Sequence, residues 1–152
     1  MPMPAPSALL LCVVVGITDG DTLTARCAAV GDAPAQTLKV RLAEVDAPEH
    51  GQPFGGRAKQ ALAALCFDRR AQVRPIPVNG GLDRFGRTVA HVSCNGVNAN
   101  TEQVRSGMAW VFERYVTDRS LYRLQGDART AHRGLWADSQ PVPPWEWRRR
   151  AH

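Results

Sequence analysis

The stretch VGITDGDTLTARC, Val15 to Cys27, decides how the chain begins to fold. The β-rich runs LLLCVVVGI and TLTARCAAV flank Asp19-Gly20-Asp21, so the segment reads as a hairpin whose first strand starts near Leu10. Asp-Gly is a hairpin signal because glycine tolerates positive φ and aspartate satisfies turn amides through its side chain. A second reading of the same residues aims one of the two carboxylates at a cation. The residues that follow bear on which applies.

Working outward, TLKVRLAEV alternates Leu38, Val40 and Leu42 inward against Lys39 and Arg41 outward, as a third strand does. DAPEHGQPFGG carries two prolines and three glycines and reads as an irregular loop. RAKQALAALCF places Ala58, Ala61, Leu62 and Leu65 at helical spacing. AQVRPIPV and RTVAHVSC read as two more strands, joined by the turn-rich NGGLDRFG and closed by Asn95-Gly96. NANTEQVRSG predicts a short helix with a polar start that stops at Gly107. DRSLYRLQGDARTAHRG predicts a last amphipathic helix, with Asp118 as N-cap and Gly134 beyond its end.

The order β-β-β-α-β-β-α-α is that of a mainly β, α+β fold: an OB-fold, a five-stranded Greek-key barrel with three α-helices, whose face commonly binds nucleic acid. Residues 1–9 read as an N-terminal extension left by a removed leader or an added start. Residues 10–140 form the OB-fold domain, and 141–152 a Pro/Trp/Arg-rich tail that cannot be helical throughout. The tail is expected to dock with its basic end frayed. The competing reading makes Trp145, Trp147 and the following arginines a basic aromatic surface for nucleic acid.

The chain has 152 residues, 44% of them apolar, enough for one domain with a core of its own. A formal charge of +5 favours an anionic partner, nucleic acid first. Of 19 basic residues only Lys39 and Lys59 are lysines, a skew that arginine-rich codon usage explains as well as phosphate binding does. No apolar run is long enough for a bilayer span, and the start lacks the cationic region of a convincing signal peptide. Cys12, Cys27, Cys66 and Cys94 show no C-x-x-C spacing, which argues against structural zinc. A tight turn at Asp19–Thr22 sets Cys12 nearly opposite Cys27. That suggests disulfides Cys12–Cys27 and Cys66–Cys94 and a periplasmic or secreted protein. Four reduced core cysteines in a cytoplasmic protein stay open as the alternative.

Three clusters carry chemistry: Asp19-Gly20-Asp21-Thr22; Arg41, Asp46 and Glu49 within RLAEVDAPEH; and Arg87 within DRFGRT. Each alone fits an ordinary turn or a surface charge. Together they fall at strand ends that one edge of a small barrel can gather. Carboxylates hold a hard cation through oxygen, and arginines hold a phosphate and the charge that develops on it.

On DGDT, RLAEVDAPE and DRFGR, with GMAWV and a late tryptophan in the same order, the chain resembles the staphylococcal nuclease (thermonuclease) family from about Val14 to Trp136. The resemblance implies a calcium-dependent, sugar-non-specific endonuclease that cleaves DNA and RNA to leave 3′-phosphates. It implies calcium on Asp21, Asp46 and the backbone carbonyl of Ala47, with Asp19 behind them. Glu49 then orients or deprotonates the attacking water, and Arg41 and Arg87 grip the phosphate. Arg84, Phe85 and Tyr115 are the expected substrate contacts. Phe85 stands where many relatives have a tyrosine and offers no hydroxyl, Glu113 replaces a second tyrosine, and the loop after Glu49 is short. His50 reads as a solvated loop residue. The expected protein is a monomer with no membrane partner. A non-catalytic OB-fold module that binds nucleic acid is the alternative, and the full set of acids and arginines argues against it.

Overall fold

Strands β1 (Leu10–Asp19) and β2 (Thr22–Cys27) pair antiparallel around Gly20-Asp21, with Cys12 opposite Cys27. The computed structural model describes residues 9–32, 34–77, 82–113, 116 and 118–150. Strand β2 continues antiparallel onto β3 (Gln36–Leu42), and β1 also pairs with β5 (Arg70–Pro75). β5 pairs with β6 (Thr88–Cys94), which runs parallel to β3 and closes a five-stranded barrel. Two register shifts in β1, between Val14 and Gly16 and between Ile17 and Asp19, bend it enough to serve both neighbours. A further strand, β7 (Val97–Asn98), extends the sheet beyond β6, as Asn95 and Gly96 both take positive φ in the connecting turn. The mainly β, OB-like barrel is the fold expected from the order of elements.

The third strand ends at Leu42, where its alternation ends, and not at the end of the run TLKVRLAEV. At Ala43-Glu44 the chain turns a corner, with Glu44 at φ 70°, and resumes as β4 (Val45–Asp46), paired with β8 (Trp110–Val111). That corner swings Asp46 and the following loop toward the β1–β2 turn. Helix α1 (Gly55–Cys66) starts two residues before the predicted run and buries Ala58 and Leu62 against the barrel. Helix α2 (Ala99–Arg105) is capped by the Asn98 side chain, which accepts from the Thr101 amide at 3.0 Å. Helix α3 spans Ser120–Thr130. Asp118 sits one residue outside the cap position, although its carboxylate still accepts from the Ser120 amide. Gly134 opens a 3₁₀ turn, Gly134–Ala137.

A fourth helix, α4 (Pro144–Arg150), lies in the tail beyond the three expected. Pro144 takes its first position, where a missing N–H costs nothing, and Pro141 and Pro143 lie ahead of its start. Its Trp145 meets Trp110 edge-on at 5.6 Å and stacks on Phe112 at 5.9 Å. The basic end is not wholly frayed: Arg149 and Arg150 are exposed, but Arg148 turns inward. Disulfides Cys12–Cys27 and Cys66–Cys94 are both formed, the first across β1–β2 and the second joining α1 to β6. Their sulfur lies in the same core as Val14, Leu23, Val40 and Leu62. Among the described residues no helix is long and apolar enough to cross a membrane.

Candidate active site

The β1–β2 turn is fixed to its surroundings by backbone and side chain together. Gly20 is not in the left-handed region; it is glycine because a Cβ there would lie 2.5 Å from the Ala58 Cβ and 2.9 Å from the Ala47 Cβ. The buried amide of Gln103 on α2 donates to the Gly20 carbonyl at 2.7 Å and to that of Ala58 at 3.1 Å. Asp21 is thereby pressed against the loop after β4. Its Oδ2 accepts the Ala47 amide at 2.8 Å, its Oδ1 accepts the Thr22 hydroxyl at 2.9 Å, and its own carbonyl accepts the Leu42 amide at 2.8 Å.

Arg41 leaves β3 and folds back under the corner. Its Nη1 donates to the carbonyls of Leu42 at 2.6 Å and Val45 at 2.7 Å, while Nη2 stands 3.4 Å from Asp46 and 3.6 Å from Asp21. Asn100 on α2 holds the same corner from the other side. Its amide donates to the carbonyls of Ala43 and Ala90, and its oxygen accepts the Val92 amide. Asn100 and Gln103 thus tie the two halves of the site to one helix.

Asp46 is 1% exposed. Burial pushes its carboxyl above the usual carboxylate range, against the pull of Arg148 and Arg41 and with the help of the nearby Asp21 charge. Asp19 is raised for the same first reason, burial, and then by Asp21 and Glu49. Glu49 is positioned by its backbone: its amide donates to the Gln52 side chain at 3.0 Å and its carbonyl packs where a side chain on Gly55 would have to be.

Arg87 approaches from the loop before β6, where Asp83 accepts its Nε at 2.7 Å. Burial raises the Asp83 carboxyl, but the amides of Arg87 and Phe85 and the Arg87 guanidinium outweigh it and hold the group below the ordinary aspartate range. Phe85, 65% exposed, has the guanidinium groups of Arg84 and Arg87 at 4.7 and 5.1 Å from its ring centre.

These groups share one open cleft of about 480 Å³. It brings together Arg41, Glu49 and Arg87, the acids Asp19, Asp21 and Asp46 with Ala47, and Arg84 and Phe85 at one end. Tyr115, the remaining expected contact, lies outside the described residues. His50 is exposed on the loop. Sequence reasoning did not single out Asp83 or Arg148. The first had a signal in its place four residues before Arg87, within reach of a turn; the second had none.

A profile described as staphylococcal nuclease homologue matches residues 39–138. The chain belongs to the staphylococcal nuclease family. A Haemophilus influenzae protein named uncharacterized endonuclease is 41% identical over 139 residues, 91% of this chain and 73% of its own. The micrococcal nuclease of Shigella flexneri is 40% identical over 147 residues, 90% of this chain and 79% of its own. The protein is accordingly a nuclease, a hydrolase of phosphodiester bonds, and nucleic acid is its substrate. Its two disulfides fit an oxidising compartment.

The family resemblance implies calcium, and the donors can be tested against it. Among the described residues no three His, Cys, Asp or Glu side chains converge as a ready-made cage. The donor chemistry nevertheless fits. Asp21 and Asp46 offer oxygen only, and the buried Asp46 is already partnered by cationic groups, the kind of charge a bound cation would supply.

Proposed function

We propose that this nuclease is a calcium-dependent, sugar-non-specific endonuclease that hydrolyses DNA and RNA to products with a 3′-phosphate and a 5′-hydroxyl. The observation that carries the reading is the cleft in which Asp21 and Asp46 sit against Arg41, with Glu49 and Arg87 along the same walls. Asp21, Asp46 and the Ala47 carbonyl would hold the cation, with Asp19 behind them. Calcium, when bound, supplies positive charge beside the scissile phosphate in a loose shell of oxygens.

The protein's own groups do the rest. Arg41 is locked by two backbone carbonyls, so its position is set before substrate arrives. Arg87 is engaged at Nε by Asp83, which leaves its terminal nitrogens for the phosphate and the departing 5′-oxygen. Both guanidinium groups gain more from the extra negative charge of a five-coordinate phosphorus than from the monoanionic diester, and that difference is what accelerates cleavage. Glu49 holds the attacking water in line with phosphorus. As water bonds to phosphorus, the bond to the 5′-oxygen breaks and that oxygen takes up a proton. Phe85 and its flanking arginines offer stacking and charge to a base and its phosphate, contacts that read no sequence. One chain supplies all these groups, in keeping with a monomer, and the disulfides support a periplasmic or secreted enzyme.

The test is release of acid-soluble nucleotides from plasmid DNA and total RNA, with calcium and with excess chelator, beside purified Glu49→Gln protein. Degradation of both that stops on chelation and returns with calcium is expected. Cleavage indifferent to the chelator overturns the calcium dependence, and cleavage of one polymer alone overturns the lack of sugar preference. End-labelling of the products checks that the phosphate stays on the 3′ side.

A further inference from the structure

Helix α4 delivers a guanidinium into the acidic part of the cleft. Arg148 Nη2 donates to Asp46 Oδ2 at 2.7 Å, and its Nη1 donates to Glu49 Oε1 at 2.9 Å and stands 3.3 Å from Asp46 Oδ1. The group spans both oxygens of Asp46 and reaches across to Glu49. Arg148 lies outside the stretch matched by the family profile, residues 39–138. The contact is supported by the part of the tail that precedes Arg148. Gln52, which orients the Glu49 backbone, donates to the Val142 carbonyl at 2.7 Å, and Trp145 is wedged against Trp110 and Phe112.

We propose that Arg148 is a placeholder for the cation: it holds Asp46 and Glu49 until a divalent ion displaces it. The inference rests on the reading of Asp46 as a cation ligand. A carboxylate that is 1% exposed cannot be left without a counter-charge, and Arg41 alone meets it only at 3.4 Å. Arg148 supplies that charge in the absence of metal. Its own side chain is 40% exposed, so it has an open path to water once a cation takes its place, which a fully enclosed arginine would not have. Bound to Asp46, it blocks the oxygens that a cation needs. Bound to Glu49, it also blocks the carboxylate that must hold the water. Displacement therefore frees both groups together. The consequence is a threshold: the enzyme stays idle until the cation concentration is high enough to win the competition.

Apparent affinity falls by the fraction of molecules in the competent state, so a contact made in nine molecules of ten weakens cation binding about tenfold. The experiment is calorimetric titration of the full chain with calcium chloride, in the absence of nucleic acid. It compares the wild type with Arg148→Gln, Arg148→Lys and, as a control for net charge alone, Arg149→Gln. Arg149 is exposed and pairs with Glu146 on its own helix. Far-UV circular dichroism verifies that each variant is folded. The expected result is an Arg148→Gln dissociation constant at least tenfold lower than the wild type, Arg148→Lys between the two, and Arg149→Gln within about twofold of the wild type. Equal affinities in all four proteins, or weaker binding by Arg148→Gln, overturn the placeholder while leaving the cation reading standing. Absence of calcium binding in every protein, Arg148→Gln included, overturns the cation reading itself and the placeholder with it.

Discussion

Asp83 and Arg87 are joined by three hydrogen bonds. The Asp83 amide donates to the Arg87 carbonyl at 2.8 Å, the Arg87 amide donates to Asp83 Oδ1 at 2.9 Å, and Arg87 Nε donates to Asp83 Oδ2 at 2.7 Å. The loop is thus a clamp that turns one arginine toward the cleft. Asp83→Asn retains an oxygen for the amides but loses the charged acceptor for Nε. Hydrogen bonds to charged groups contribute about 1.5–3 kcal/mol, which corresponds to roughly a tenfold to hundredfold effect if the bond is needed in the transition state. The expected outcome is a fall in kcat of about tenfold or more, with a small change in KM and a melting midpoint lower by only a few degrees. A variant with wild-type kcat would show that Arg87 needs no holding.

The same pair sets a pH dependence. The folded Asp83 carboxyl lies below its ordinary range because the Arg87 and Phe85 donors outweigh the effect of burial. A depressed carboxylate stabilises the fold fully above the unfolded value and loses that contribution as pH falls through the folded one. The melting midpoint of the wild type should therefore exceed that of Asp83→Asn near neutrality. The gap should close as the solution is acidified below about pH 4, the ordinary range of the group. A gap that widens on acidification would reverse the assigned sign.

Glu49 and Arg41 should differ in what their loss does. Among the described residues the Glu49 side chain hydrogen-bonds to Arg148 alone, so Glu49→Gln is expected to keep the fold and the melting midpoint. Cleavage should fall by roughly 10²–10⁴-fold, the usual contribution of a group that manages a proton or its water. Arg41 also ties down the Leu42 and Val45 carbonyls, so Arg41→Ala should lose activity by a similar order and stability as well. Steady-state cleavage and thermal denaturation on the same preparations separate the two. Full activity in either variant removes its proposed role.

The acids and arginines of the cleft were legible because each lies at a strand end within a short motif, and the three motifs fall in a fixed order along the chain. What escaped was set by contacts between distant segments. The corner at Glu44 falls where the alternation slips, since Leu42 is followed by Ala43 and the apolar phase resumes at Val45, but a non-glycine at φ 70° has no sequence signature of its own. Asn100 and Gln103 fall in a segment that reads as a short helix with a polar start, yet both are buried because backbone carbonyls of other segments need their amides. Arg148 stands in a run of three arginines, and only the packing of Trp145 decides which of them faces the cleft. The Asp-Gly hairpin forms, but for other reasons than its turn chemistry suggests: Asp21 satisfies the amide of Ala47, outside the turn, and glycine is there for space rather than for φ.

A methyl group at residue 20 would meet the Ala58 and Ala47 side chains at 2.5 and 2.9 Å, and helix α1 and the loop after β4 would have to move apart. Gly20→Ala should cost about 1–3 kcal/mol, the usual range for overpacking a filled core. The displacement falls between Asp21 and Ala47, whose 2.8 Å hydrogen bond closes the acidic side of the cleft. Activity should therefore drop further than the lost stability explains, and the calcium concentration needed for half-maximal cleavage should rise. Ala58→Gly in the same chain removes the closer of the two clashes. It should recover part of both losses if space is the cause, and neither if the glycine were needed for its backbone angle.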